Sequence, residues 1–266
     1  MTARRGTAAA RNILRIALPF LVVLAAWQAV SSLKLFPDYL FPSTLAVAKD
    51  LVKKGIHSQI LLLHCTHSLI RLFLGYLLGV FGGMAMGMAI GLNRSVSGFI
   101  KPLVDFGHAI PGIAWLPLAI LWLGIGVRTM VFMVSLVVFF PVLYGTLTGL
   151  RMLPAKYTNV GLMCGATKRQ ILSSVLLPGA LPSILNGVRV GAAYGWRGLI
   201  GVEMLVASTG IGWLIIDARA WLQTETVIAG ALVIGVIWVC LDRLVLKTLE
   251  ARTVERWGMV RKDGID

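Results

Sequence analysis

Charge is scarce in this chain. Only 14% of its 266 residues are charged, against about 25% in a soluble domain. Acid is scarcer still, with 11 Asp and Glu beside 25 Lys and Arg. Three cysteines, Cys65, Cys164 and Cys240, are too few and too scattered for a disulfide framework or a zinc site. No G-x-x-x-x-G-K-[ST] phosphate loop, G-x-S-x-G elbow or H-E-x-x-H pair occurs. The chain is therefore expected to hold no cofactor and to be no enzyme. His57, His64 and His67 with Cys65 are its one concentration of ligand-type side chains. His64 and His67 share a helix face, but no third ligand is spaced nearby, so a metal site is not expected.

What is present is apolar. Hydrophobic residues make up 58% of the chain, and the mean hydropathy is +0.85. A soluble protein of this size could not hide that much apolar surface from water, so lipid is its solvent. The expected class is an all-α membrane protein in one domain over residues 1–266, with a core at 60–250. At about 20 apolar residues per span, six candidate spans fall near 12–30, 65–91, 101–123, 129–150, 187–207 and 226–246. The first follows Arg4, Arg5, Arg11 and Arg15 as a signal peptide would. It is nonetheless long, with no small-x-small cleavage site behind it, and reads as a retained span.

The formal charge of +14 would suggest nucleic acid in a soluble chain. Here the basic residues lie mostly in loops and tails, where membrane topology explains them, and no nucleic-acid partner is expected. With the N-terminus inside, the cytoplasmic pieces hold the N-terminal arginines, Arg94, Lys101, Arg151, Lys156, Lys168, Arg169 and a basic C-terminal tail. Outside remain Lys34, Lys49, Lys53, Lys54, Arg128 and Arg219. Both termini are thus expected in the cytoplasm. After the first span, Pro42-Ser43-Thr44 can start an amphipathic helix with Leu45, Val47, Ala48, Leu51 and Val52 on one side and Lys49, Lys53 and Lys54 facing outward. It rests on the membrane surface or is a solvated linker.

Several spans carry marks. Gly75, Gly79, Gly83, Gly87 and Gly91 repeat every fourth residue and let a second helix approach closely. The stripe is a tight packing face or a sliding surface. Arg71, one turn earlier, should reach a helix end or a partner carboxylate. Pro102, Pro111 and Pro117 break the third span and free backbone carbonyls. Trp115 and Trp122 line a pathway there or pack, and Gly124 with Gly126 makes an outer turn. In the fifth span Arg189 can snorkel to the interface, whereas Arg197 and Glu203 lie deeper. An unpaired ion there costs about 2.5–3.5 kcal/mol. Each should pair with another helix, as a structural ion pair or at a gate. Gly210 and Gly212 make a second outer turn.

The least oily part of the middle is Arg151 to Pro182, RMLPAKYTNVGLMCGATKRQILSSVLLPGALP, which is basic and free of acid. Pro154 can open one short helix and Gly165 can close it. Thr167 opens a second, with Gln170 at capping-box spacing. Ile171, Leu172, Val175 and Leu176 share a face, and Pro178 should end that helix. Such a hairpin needs a partner for its apolar side.

This stretch resembles the cytoplasmic EAA loop of ABC-importer permease subunits. Gly165-Ala166-Thr167 stands at that family's glycine, Ile171 follows, and VLLPGALPSILNGVRV (175–190) matches its Leu-Pro part. FPSTLAV, IPGIAWLPLAILWLGIG and GWRGLIGVEMLVASTGIGWLI look like other parts of the aliphatic sulfonate, taurine and nitrate branch. One departure stands out. The Glu-Ala-Ala core falls on Asn159-Val160-Gly161, so its acidic contact is absent.

The resemblance implies a type I importer permease of about six spans in the bacterial inner membrane. A second copy completes the pore, a periplasmic or lipid-anchored binding protein delivers the solute, and two cytoplasmic ATPase subunits hold ATP and magnesium. The coupling helix would be about 155–164, with Tyr157, Asn159, Gly161, Leu162, Cys164, Gly165, Ala166, Thr167 and Arg169 at the ATPase. Ile171, Leu177, Pro178 and Pro182 would pack the loop (151–182). Pathway candidates are Pro111, Trp115, Arg197, Glu203 and Met204. The competing reading is a stand-alone ion-coupled transporter in which Glu203 or Asp105 carries the proton. It leaves the basic hairpin unexplained, and no internal repeat supports it.

Overall fold

A computed structural model describes residues 2–246 and 248. Its helices are α1 (Thr2–Ser32), α2 (Thr44–Val52), α3 (Ile60–Leu92), α4 (Arg94–Ala109), α5 (Leu116–Leu123), α6 (Val127–Met152), α7 (Ala155–Met163), α8 (Lys168–Ile171), α9 (Leu177–Val206), α10 (Ile211–Ala220) and α11 (Thr224–Cys240). No strand occurs among the described residues. Lys247, Glu250, Arg252, Glu255 and Arg256 of the expected basic tail, and the side chains of Arg4, Arg5 and Arg11, lie outside what is described.

Four helical stretches are long and apolar enough to cross a bilayer: Ile60–Leu92, Val127–Met152, Lys168–Val206 and Thr224–Leu244. The expected third span is a bent pair, Arg94–Ala109 and Gly112–Leu123, with 99° between its halves. The first is represented by a shorter apolar helix, Ala17–Ser32. The fifth begins well before the expected residue 187, because Pro178 does not end the helix that Thr167 opens. Residues Leu172–Leu176 form a π-helical turn in which Leu177 N–H bonds to the Leu172 carbonyl. Widening the turn accommodates the missing Pro178 donor, so α8 runs through into α9.

Two compact units divide the chain, one of residues up to Leu62 with Leu214–Val233, the other of Leu63–Trp213 with residues from Ile234 onward. In the first, Ser43 caps α2 by accepting the Ala46 N–H at 3.2 Å, and Val47 is buried. Lys49 and Lys53 are exposed as expected. Lys54 instead turns inward, 3.3 Å from Asp50, donating to Gln223 at 3.1 Å and to the Thr226 hydroxyl. Two neighbouring acceptors draw it away from the solvent side that its spacing suggested.

The second unit is built around α6. Val134, Val138, Val142 and Leu143 of α6 are fully buried. The α3 glycine stripe lies against them. A Cβ on Gly83 would stand 2.5 Å from the Phe139 carbonyl, and one on Gly79 2.7 Å from that of Ser135. On α9, a Cβ on Gly187 would stand 2.6 Å from the Pro141 carbonyl. The stripe is therefore a tight packing face: backbone meets backbone, where lipid supplies no hydrophobic drive between helices and dispersion must hold them.

Candidate functional site

Two places bring the sequence-derived site residues together: the hairpin after α6 and the membrane-embedded end of α9. At the hairpin, Pro154 is the residue before α7 and not within it, its carbonyl accepting the Tyr157 N–H at 3.1 Å. Gly165 ends α7 at φ +75°. Its N–H bonds to the Leu162 carbonyl at 3.0 Å, and the Ala166 N–H bonds to the Gly161 carbonyl at 3.0 Å. That pair of bonds is a Schellman closure, which a left-handed glycine makes without steric cost. Thr167 then forms the full capping box: its N–H donates to Gln170 Oε1 at 2.8 Å, and its hydroxyl accepts the Gln170 N–H at 3.4 Å.

The two arms close through Gly161 and Ile171. Ile171 is 4% exposed, and a Cβ on Gly161 would come within 3.2 Å of its Cγ1. Leu177, Pro178 and Pro182 are half-buried in the continuation. Nothing described covers the rest of α7. Tyr157 (50%), Val160 (58%), Leu162 (55%) and Met163 (88%) are exposed apolar side chains, and Asn159, Cys164 and Arg169 are exposed beside them. Five hydrogen bonds and the Gly161–Ile171 contact thus hold a short helix whose apolar side is bare.

At the end of α9, Glu203 is 0% exposed and Arg71 6%. Their salt bridge is 2.8 Å. The carboxylate also accepts the Ser68 hydroxyl, 2.9 and 2.8 Å from its two oxygens, and the Gly212 N–H at 3.1 Å. Arg71 donates onward to the Thr209 carbonyl at 2.6 Å and hydroxyl at 2.5 Å. Ile211 N–H donates to Ser68 Oγ at 3.0 Å and Gly210 N–H to His64 Nδ1 at 2.9 Å. Gly210 takes φ +116°, which no side-chain-bearing residue adopts easily. The Gly210 and Ile211 N–H groups are thereby tied to α3, and that of Gly212 to Glu203 of α9. This meets the expectation for Arg71 and makes Glu203 a structural pair. His64, Ser68 and Arg71 form one polar stripe at i, i+4, i+7 on an apolar helix, a signal that reading Arg71 alone missed.

Arg197 departs from its expectation of a partner. It is exposed, and no carboxylate among the described residues lies within ion-pair distance. Arg189 does not simply snorkel but pairs with Asp242, Nη2 to Oδ1 at 2.9 Å. Pro111 stands at the bend between α4 and α5, where Gly112 starts a tight 3-10 turn. Trp115 packs against the core around α6, Trp122 is exposed and Met204 is half-buried. Asp105 pairs with Lys101 and accepts the Tyr144 hydroxyl at 2.7 Å. No group of three His, Cys, Asp or Glu among the described residues could hold a metal ion.

A rigid basic hairpin joined to a glycine-packed bundle of membrane helices can be compared with known proteins. Residues 79–252 match the family of binding-protein-dependent transport system inner membrane components. The chain belongs to that family. It is 32% identical to the taurine transport system permease protein TauC of Escherichia coli (strain K12) over 244 residues, 90% of this chain and 88% of the relative. It is 29% identical to the nitrate import permease protein NrtB of Synechocystis sp. (strain PCC 6803) over 178 residues, 67% of this chain and 65% of that one. The MetNI methionine ABC transporter, in an inward-facing structure, shares the fold at a TM-score of 0.58 and 18% identity, covering 72% of this chain and 97% of that chain. The chain is thus an ABC-importer permease of the taurine, sulfonate and nitrate branch. It has the type I fold and is a multi-pass protein of the inner membrane.

Proposed function

We propose that this permease forms, as a single domain with a second copy of itself, the path by which a small solute, such as taurine, another organosulfonate or a nitrate-like anion, is imported at the cost of ATP. A binding protein outside delivers the solute, and two ATPase subunits inside, holding ATP and magnesium, drive the cycle. Both termini and the hairpin face the cytoplasm.

The observation that carries this reading is mechanical. The bare apolar side of α7 is locked through Gly165, the capping box and Ile171 to a helix running unbroken from Lys168 to Val206. An ATPase seated on α7 would therefore move α9 directly, without a flexible joint between them. Differential binding of the ATPase to two arrangements of that helix is what biases the pore. The absent acid at Asn159 leaves an apolar contact, through Tyr157, Val160, Leu162 and Met163, to supply that difference. Cys164, Ala166 and Arg169 border it.

A proton-coupled transporter is less well supported. Glu203 is committed to Arg71, Ser68 and Gly212, and Asp105 to Lys101 and Tyr144. The test is reconstitution in proteoliposomes with the cognate ATPase and binding protein. ATP-dependent taurine or nitrate uptake, lost with Met163→Asp, is the expected result. Uptake driven by a proton gradient without any ATPase would overturn the reading.

A further inference from the structure

We infer that α2 and the turn after it, residues 44–57, form a binding site for an anionic phospholipid, with the Lys49 and Lys53 ammoniums on its phosphate and Leu45, Val52 and Ile56 against its acyl chains.

Tethers to two apolar helices set the depth of this segment. Trp27 Nε1, near the end of α1, donates to the Pro42 carbonyl at 3.0 Å. Gln28 Oε1 accepts the Thr44 N–H at 3.3 Å and the Thr44 hydroxyl. At the start of α11, the Thr224 hydroxyl donates to the Tyr39 carbonyl and the Thr226 hydroxyl to Asp50 at 3.0 Å. The apolar helix Ala17–Ser32 thus ends, and the apolar stretch Thr224–Leu244 begins, where α2 lies. That level is the membrane boundary. At about 1.5 Å per residue the segment is roughly 21 Å long, too short to cross a hydrocarbon core of about 30 Å, so it lies along the boundary.

The rotation of the helix is fixed as well. Val47 is buried, and Asp50 and Lys54 turn inward to Thr226. The opposite side keeps Leu45 (60% exposed), Val52 (47%) and Ile56 (73%) in one stripe. Lys49, Lys53 and His57, all exposed, follow at four-residue spacing along its edge. Lys54 has Asp50 at 3.3 Å; Lys49 and Lys53 have no carboxylate within ion-pair distance among the described residues. A groove of about 540 Å3 is lined by Ala48, Lys49, Val52, Lys53 and His57. The Cβ atoms of residues four apart on a helix stand about 6 Å from each other, close enough for both ammoniums to reach one phosphate. An ammonium is a compact, strongly hydrated charge on a flexible stem, so it can stay at headgroup level while the stem covers hydrocarbon. A soluble anion would meet the charges but leave the three apolar side chains bare. A zwitterionic lipid would bring its own cation to the lysines. A helix with its faces divided in this way binds in the interface plane through apolar burial and attraction to anionic lipid together.

The test is photo-crosslinking in the assembled transporter, this chain with its ATPase, in nanodiscs of equal parts phosphatidylglycerol and phosphatidylcholine. A lysine near an anionic surface is worth about fivefold in binding. A photo-reactive residue in place of Ile56 should therefore capture phosphatidylglycerol over phosphatidylcholine by about tenfold or more. Lys49→Gln with Lys53→Gln should bring that ratio to about one, whereas Lys34→Gln, at an exposed lysine away from the groove, should leave it unchanged. Salt at about 1 M screens exposed charges and should lower the ratio with both lysines in place, which covers the case in which the double variant does not assemble. Equal capture of the two lipids, a preference undiminished in the double variant or by salt, or capture of added binding protein in place of lipid overturns the site.

Discussion

Along α6, the side chains of Val134, Val138, Val142 and Leu143 have no exposure at all, because glycines on α3 and α9 bring two backbones against them. One short helix further on, Met163 is 88% exposed and Leu162 55%. Both regions are apolar and both depend on glycine, but the glycines act differently. At Gly83 the missing side chain admits another helix; at Gly165 the left-handed backbone ends a helix so that the next can turn back. The first region has satisfied its apolar surface internally. The second has been stiffened without being covered, which is the condition of a surface awaiting a partner.

That contrast can be broken by substitution, and the largest effects should fall on the buried side. Glu203→Ala leaves Arg71 buried without its counter-ion and should cost about 3–5 kcal/mol, read as a drop in thermal stability of the solubilised protein. Adding Arg71→Met should restore much of the loss, since the pair then leaves no stranded charge. Gly83→Leu should cost about 1–3 kcal/mol or more by overpacking against the Phe139 carbonyl. Gly98→Ala is the control, with nothing within 4 Å of its added Cβ, and should change little. At the hairpin, Gly165→Ala places a side chain at φ +75° and should cost about 1–2 kcal/mol locally. Thr167→Ala removes the cap for about 1 kcal/mol. The hairpin variants should lower ATP-driven uptake more than thermal stability, whereas Glu203→Ala and Gly83→Leu should lower both together.

Much of this was legible in the residues. Composition alone required lipid as solvent, the four-residue glycine period marked the packing face, and Gly165, Thr167 and Gln170 marked the hairpin's closure and cap. Pairing and continuity were harder to see. Glu203 and Arg197 look alike in sequence, but Ser68 and Arg71 lie across from the first, while no acid among the described residues pairs with the second. That depends on how three helices are rotated, which a single helix's spacing does not encode. Pro178 looked like a terminator because a proline normally clashes with the preceding turn; the π-helical turn at Leu172–Leu176 removes the clash.

The most direct test is contact at α7. A photo-crosslinking residue in place of Met163, in the assembled transporter, should capture the cytoplasmic ATPase, and one in place of the buried Val138 should capture no partner subunit. Capture of the external binding protein from position 163, or no ATPase adduct there at all, would contradict the account.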